Sequence, residues 1–424
     1  MKEQIFSYID KSTPLAVELE TELTKRPAVS PDSDGEGELD KCVFLEGWLK
    51  KHGITQLERY DAPDPRAKGG VRPSLIATIP GAADDSGAAD DSGAADDSGR
   101  LWIMSHIDVV PPGELSLWKS DPWTVIQASD GPLGPRLIGR GVEDNQQGLT
   151  SSVLAMLAFV EQGLKPSRTV KLLFVADEEN GSGYGIDWLL ENHGDLFQKN
   201  DMVIIPDSGD SKGESIEIAE KNLIWARFVT RGLQAHGSRP DQGANAHLAG
   251  ADLAVRLHYE LSAKFGDHDS LFEPDYSTFQ PTKKEANVPN INTIPGEDVF
   301  CMDMRILPRY PIQSVLAEID RIKAEVAAKH KVTIEYSLPQ SKESQPTAPD
   351  APVVKFLSKA IQEVYGVTAR TIGIGGGTVG AYLRNAGIDS VVWARFDNTA
   401  HQPNEYALLE NILGDAKVMA RLMM

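Results

Sequence analysis

A chain of 424 residues exceeds the size at which a single hydrophobic core keeps growing, so two domains are expected. Its 62 acidic side chains outnumber the 42 basic ones by 20, which argues against nucleic acid as a partner and describes a self-repelling particle. No apolar run reaches membrane-spanning length, and the opening MKEQIFSYIDKSTPLAVELE lacks the basic, apolar, small-residue order of a signal peptide, so a cytoplasmic protein with no membrane partner is expected.

In chain order, the spacing of apolar residues predicts a helix over 39–52, stopped by Gly53, and then two short strands at 74–79 and 101–110. Between those strands lies GAADDSGAADDSGAADDSG (81–99), a repeat of small and acidic residues expected to be a disordered surface connection. A helix over 146–162 ends at Gly163, and the apolar runs 169–176 and 202–206 read as buried strands. This alternation predicts an α/β domain with a mostly parallel sheet and helices on both faces. From 221 to 338 the pattern changes to strand (NLIWARFVTRG), helix (247–265), strand (298–306), helix (312–330) and strand (331–337), a two-layer α+β unit. After the polar joint SLPQSKESQPTAPDAP the alternation resumes with a helix near 352–365, a Gly-rich turn, a strand at 389–394 and a last helix. The expected organisation is therefore a catalytic domain in two parts, 1–220 and 339–424, with 221–338 inserted between them. Cys42 and Cys301 stand far apart without metal-ligand spacing, which disfavours a disulfide framework or a thiolate zinc site.

The polar residues at the predicted strand ends carry the chemistry. Strand 101–110 contains Ser-His-Ile-Asp, placing His106 and Asp108 two apart on one face, where one can ligate a metal while the other supports an imidazole or orients a second group. Asp144 stands in Gly-Arg-Gly-Val-Glu-Asp-Asn-Gln-Gln-Gly (139–148) at a helix entry, where an N-cap aspartate is the ordinary reading. LLFVA runs into Asp177-Glu178-Glu179, MVIIP ends in Asp207, and DSVVWA leads to a loop holding His401. Carboxyl ends of strands are where open α/β sheets keep their sites, and so many acids together need cations. Two imidazoles with three carboxylates exceed the needs of one zinc that keeps an open position, but they suit two metals sharing one carboxylate. Glu178 is then left over as a candidate general base.

This ordered set of His-x-Asp, Gly-x-x-Asp, Glu-Glu, a later acid and a late His resembles the di-zinc family of succinyl-diaminopimelate desuccinylase, acetylornithine deacetylase, aminoacylase, carboxypeptidase G and related dipeptidases, over nearly the whole chain. The resemblance implies that Asp144 bridges two divalent ions, with His106 and Asp207 completing one site and Glu179 and His401 the other. Zinc is the first expectation, with manganese or cobalt as alternatives. It also implies that Glu178 is the base, that Asp108 orients it or a neighbouring ligand, and that the 221–338 unit acts as a lid and dimerises the chain. Gly-Leu-Gln-Ala-His-Gly-Ser-Arg-Pro (232–240) is similar to the family's histidine motif, which gives His236 a substrate carbonyl oxygen to stabilise, often across a homodimer. Asn292, Arg305 and the turn Gly376-Gly377-Thr378 match positions that meet a substrate carboxylate. One departure is Asp-Asn-Gln-Gln-Gly, where many relatives have lysine before the glycine; it bears on subfamily and not on the ligands.

The function expected is metal-dependent hydrolysis of an amide in a small peptide, as in a dipeptidase or carboxypeptidase. The alternative is an N-acyl-amino-acid deacylase such as a desuccinylase. A non-catalytic metal- or peptide-binding relic is disfavoured because Glu178 and Glu179 are both present.

Overall fold

The computed structural model describes residues 1–82, 99–130 and 132–424. The acidic repeat expected to be disordered lies, apart from its ends, outside the described residues. By packing, the chain divides into one unit of Met1–Ile218, Thr347–Thr371 and Tyr382–Met424 and a second of Ala219–Pro346 and Ile372–Ala381. Residues 372–381, which the sequence pattern places in the outer domain, pack with the second unit.

An eight-stranded sheet runs in the order Gln56–Pro63, Val71–Ile79, Val170–Val175, Leu101–His106, Met202–Asp210, Ser390–Arg395, Ser215–Glu220, Arg370–Ile374. Its central strands are parallel: Leu101–His106 pairs in parallel with both Val170–Val175 and Met202–Asp210, and Ser390–Arg395 with Met202–Asp210. Towards one margin the pairing turns antiparallel, from Val170–Val175 to Val71–Ile79 to Gln56–Pro63, and towards the other it does so at Val392 and Glu217. The sheet thus has a parallel centre and antiparallel margins, one of which arises where Gln56–Pro63 returns to Val71–Ile79 by a short connection, which favours antiparallel neighbours. Leu101–His106 is buried at every position, so its continuous apolar run needs no alternation.

Helix Gln146–Glu161 is buried from Gln146 through Phe159 and packs against Leu409–Met423, Thr13–Thr24 and Lys2–Asp10. Its first turn reaches the sheet closely because residue 148 is glycine: a Cβ there would stand 2.3 Å from the carbonyl oxygen of Pro206. That approach draws the segment around Asp144 to the strand end that carries Asp207. Each aliphatic side chain fully buried in such a core contributes about 1.5–3 kcal/mol.

In the second unit four antiparallel strands run in the order Thr278–Lys284, Glu297–Ile306, Asn222–Arg231, Thr333–Lys342. Along Asn222–Arg231 the fully buried residues fall two apart, as expected of a sheet with one covered face. Ile224, Ala226 and Phe228 join a core with Leu253, Leu257, Phe300, Met302, Ile319 and Ile322 from helices Ala246–Lys264 and Ile312–His330 and strand Glu297–Ile306. Phe228 and Phe300 stack at 5.0 Å between ring centroids. Among the described residues no helix is long and apolar enough to cross a membrane.

Candidate metal centre

The strand Leu101–His106 delivers His106 to its carboxyl end, where the ring is buried. Nδ1 lies 3.0 Å from the backbone oxygen of Asp108, which can only accept, so Nδ1 carries a proton and Nε2 is the nitrogen that faces the acids. Nε2 stands 2.9 Å from Oδ1 of Asp144 and 3.3 Å from Oδ1 of Asp207. Burial alone would lower the pKa of His106; Asp207, Asp108 and Asp144 outweigh it and hold the ring well above the ordinary imidazole range.

The Asp108 carboxylate serves a different purpose. Its two oxygens accept the backbone N–H groups of Glu178, at 3.1 Å, and Glu179, at 3.0 Å. The turn that follows strand Val170–Val175, entered through Asp177 in the left-handed region with φ 62°, is thereby held against the strand bearing His106. Arg72, fully buried, braces the same turn: its guanidinium meets Asp177 at 3.1 Å and Glu38 at 2.6 Å.

Asp144 does not cap the helix that follows. That position is Asn145, whose side chain donates to the backbone oxygen of Pro206 and to Oδ1 of Asp207, both at 2.6 Å. Asp144 is left to share its carboxylate, with Oδ1 near His106 and Oδ2 3.0 Å from Nε2 of His401. The same His401 nitrogen lies 3.0 Å from Oε2 of Glu179. Hydrogen bonds to Asp144 and Glu179 lift His401 to about 10, while the two imidazoles overcome burial and pull Asp144 well below the usual carboxylate range. Burial first, then the nearby Asp207, pushes the Glu178 carboxyl up.

Two overlapping donor groups result, His106 with Glu178 and Asp207, and His106 with Asp144 and Glu179, each with ligand atoms within 4.8 Å of one another. His401 extends the second group. These donors are imidazole nitrogens and carboxylate oxygens with no sulfur, gathered where the mutual repulsion of acids calls for cations, and so they fit borderline or hard divalent ions. Among the described residues the Glu178 carboxylate has no hydrogen-bond partner, which leaves it open to handle a proton.

The remaining predicted residues belong to the second unit. His236 pairs with Thr293 in a two-stranded ladder and is exposed. Its Nδ1 accepts from the backbone N–H of Ser238 at 3.2 Å, so a neutral ring carries its proton on Nε2, which is left as a donor. Asn292 adjoins it: its backbone oxygen accepts from Gly237 N–H at 2.7 Å. Arg305 is already engaged, with Asp303 at 2.8 and 3.0 Å and the backbone oxygen of Gly375 at 2.7 Å. The turn Gly376-Gly377-Thr378 follows, and the hydroxyl of Thr378 donates to Glu220.

Sequence reasoning passed over several buried polar residues. Lys41 is almost wholly buried and held down to about 8 by desolvation, against the pull of Asp108, Glu38, Glu20 and Glu405. Asn145, Glu143 and Glu405 are buried beside the loops that carry the candidate ligands. Of these only Glu143 and Asn145, flanking Asp144, stand in a stretch that drew attention by itself.

The family model for peptidases of family M20/M25/M40 matches residues 102–424. An uncharacterised metallohydrolase of Methanococcus maripaludis is 36% identical over 420 residues, covering 95% of this chain and 97% of its own. A succinyl-diaminopimelate desuccinylase of Nautilia profundicola is 26% identical over 400 residues, covering 93% of this chain and 95% of its own. Among solved structures, aminopeptidase PepT of Bacillus cereus superposes with a TM-score of 0.74 at 19% identity, covering 97% of this chain and 98% of that one.

Proposed function

The chain belongs to peptidase family M20/M25/M40 and is a metallohydrolase, and from that premise we propose that it uses two divalent metal ions to cleave an amide bond in a small peptide. The observation that carries this reading is Asp144, which gives one oxygen to each of two imidazoles, 2.9 Å from His106 and 3.0 Å from His401. His106, Asp207 and Asp144 would hold one ion; Asp144, Glu179 and His401 would hold the other. Zinc suits the nitrogen and oxygen donors best, with manganese and cobalt as alternatives. When bound, such ions polarise the scissile carbonyl and acidify water.

The protein's own groups do the rest. Glu178 accepts a proton from the attacking water as the new C–O bond forms, then delivers it to the amine nitrogen as the C–N bond breaks. Asp108 keeps that carboxylate in place through the backbone of the Glu178–Glu179 turn. His236 offers Nε2–H to the oxygen that gains negative charge. Asn292, Arg305 and the Gly376-Gly377-Thr378 turn receive a substrate carboxylate, with Arg305 supplying the N–H groups that Asp303 and Gly375 leave over.

The desuccinylase of Nautilia profundicola favours a second reading, N-acyl-amino-acid deacylation. A succinyl group carries a second carboxylate, which calls for a cationic contact in addition to Arg305; the dipeptidase or carboxypeptidase reading therefore stands first. We also assign the second unit a role in pairing two copies of the chain. Leu248, Val255 and Tyr259 are exposed along helix Ala246–Lys264, and strand Thr278–Lys284 forms the sheet's edge.

The test is hydrolysis of a panel of dipeptides and N-acyl amino acids, including N-succinyl-diaminopimelate, by protein loaded with zinc, manganese or cobalt, with metal content measured on the same samples. Metal-dependent cleavage of dipeptides supports the first reading and selective cleavage of acyl substrates the second. Silence across the panel with two ions per chain counts against both.

A further inference from the structure

The loop that carries His401 is wound in a costly way. Asn398, His401 and Asn404 all occupy the left-handed region, at φ 62°, 63° and 62°, where residues with a Cβ are strained unless the surroundings hold them. One carboxylate does much of the holding. Glu143, 1% exposed, accepts the backbone N–H of Asp397 at 2.8 Å and of Ala400 at 2.9 Å, the hydroxyl of Thr399 at 2.7 Å, and the backbone N–H of Thr399 as well. This residue immediately precedes Asp144.

The reverse contact is also made. Glu405, fully buried and four residues beyond His401, accepts the backbone N–H groups of Gly141 at 3.0 Å, Glu143 at 2.9 Å and Asp144 at 3.1 Å, together with the Arg140 guanidinium at 2.5 Å. Each acid thus satisfies three backbone N–H groups of the segment that bears the other. Two extra buried carboxylates beside a cluster of acids would add to its repulsion and are tolerable only because each is ringed by donors. The partners are more than 250 residues apart in sequence, so nothing local supplies these bonds.

We propose that Glu143 and Glu405 form a reciprocal clasp that sets the spacing of Asp144 and His401, with Glu143 acting as a positioning residue for the His401 side of the metal centre. The inference rests on the proposed roles of Asp144 and His401 as ligands. It predicts a selective defect, because the bonds from Glu143 go only to the His401 loop; His106 and Asp207 are held by Asp108 and Asn145 instead.

The experiment is zinc titration against a chromophoric chelator, on wild type, Glu143→Gln, His401→Ala and the double variant, with unfolding curves of the metal-free proteins as a control. Gln fits the space but must turn an NH2 towards N–H donors on one side. In Glu143→Gln one of two zinc ions should weaken about 10- to 100-fold while the other stays within about threefold. In the His401→Ala background the same change should leave the remaining affinity unaltered, since the loop no longer carries a ligand. Thr399→Val, which removes the hydroxyl that donates to Glu143 and accepts the backbone N–H of Tyr406 but spares the backbone bonds to Glu143, should weaken the same ion by a smaller factor, and it decides the matter if Glu143→Gln does not fold. Two ions bound by Glu143→Gln at wild-type affinity, or equal weakening of both ions, overturns the clasp. A wild type that takes up no zinc overturns the ligand assignment beneath it, which is a distinct result.

Discussion

Replacing Glu178 by Gln removes proton transfer while leaving nearly everything else in place. Gln is isosteric with Glu. The turn is held through the backbone N–H of residue 178, which donates to Asp108 at 3.1 Å whatever the side chain. Since the carboxylate has no hydrogen-bond partner among the described residues, no protein contact is lost with it. The proposed ligands His106, Asp144, Glu179, Asp207 and His401 are untouched, so two metal ions should still bind. General-base catalysis is worth about 10²- to 10⁴-fold, or about 3–5 kcal/mol at 1.36 kcal/mol per tenfold, and kcat should fall by that factor with little change in KM. A further sign distinguishes this account. Burial raises the Glu178 carboxyl in the metal-free fold, so its contribution to stability is full in acid and is lost as pH rises. Gln does not titrate, and metal-free Glu178→Gln should therefore be at least as stable as wild type at pH 8. Steady-state kinetics on the best panel substrate, metal analysis and thermal unfolding give the three readouts. A variant that binds two metals and keeps kcat within tenfold of wild type would refute Glu178 as the base.

Other perturbations separate the remaining parts. His236→Ala should lower kcat by about 10²- to 10³-fold, as loss of one oxyanion donor does elsewhere, with metal content unchanged; a parallel fall in bound metal would count against that role. Zinc at about 100 times its dissociation constant should stabilise the fold by about 2.7 kcal/mol, so the unfolding midpoint should rise with zinc and fall back with chelator. An unmoved midpoint in protein verified to bind zinc would contradict cation relief of the acidic cluster. Buried Asp415 is raised from 3.8 to about 7 by desolvation, so its stabilising contribution is full below about pH 4 and lost as pH climbs through 7. The span corresponds to about 4 kcal/mol. Asp415→Asn can still accept from the Tyr365 hydroxyl and the Arg395 N–H, and its stability should vary less between pH 4 and 8 than that of wild type; an identical pH profile would exclude the assignment.

Much of the architecture was legible because its signals are local. The helix at 146–162 and the one at 312–330 carry long apolar patterns with clear ends, and the strand at 169–176 is a plain apolar run. The candidate ligands stood out for a chemical reason: only a few residue types bind divalent ions, and they recur where apolar strands stop. Harder to read were the marginal strands. Gln56–Pro63 leaves half of its side chains exposed, and Ser215–Glu220, though buried throughout, breaks its apolar residues with Ser215, Glu217 and Glu220, so neither shows an apolar run in the sequence, and the antiparallel margins went unseen. Helices Lys2–Asp10 and Thr13–Thr24 are broken up by charge, and only a few positions of each are buried. The Gly-rich turn fell on the wrong side of the boundary because Gly373 bridges to Phe272, a long-range contact without a local signature. Glu143 and Glu405 were invisible for the same reason: an acid that serves backbone N–H groups more than 250 residues away looks like any other acid.

The strand order also bears on how the protein is made. Ser390–Arg395 lies between Met202–Asp210 and Ser215–Glu220, near the middle of the sheet rather than at its rim. A ribosome therefore finishes both flanking strands long before it supplies the one that separates them. Until then the apolar stretch Met202–Pro206 lacks its neighbour, which leaves an unpaired hydrophobic edge of the kind that seeds association between chains. The candidate donor set lacks His401 over the same interval, so a divalent ion would find only part of its proposed site. Sheet closure and assembly of the candidate donor set then both wait for residues 390–401, and a chain stalled before residue 390 is left with neither.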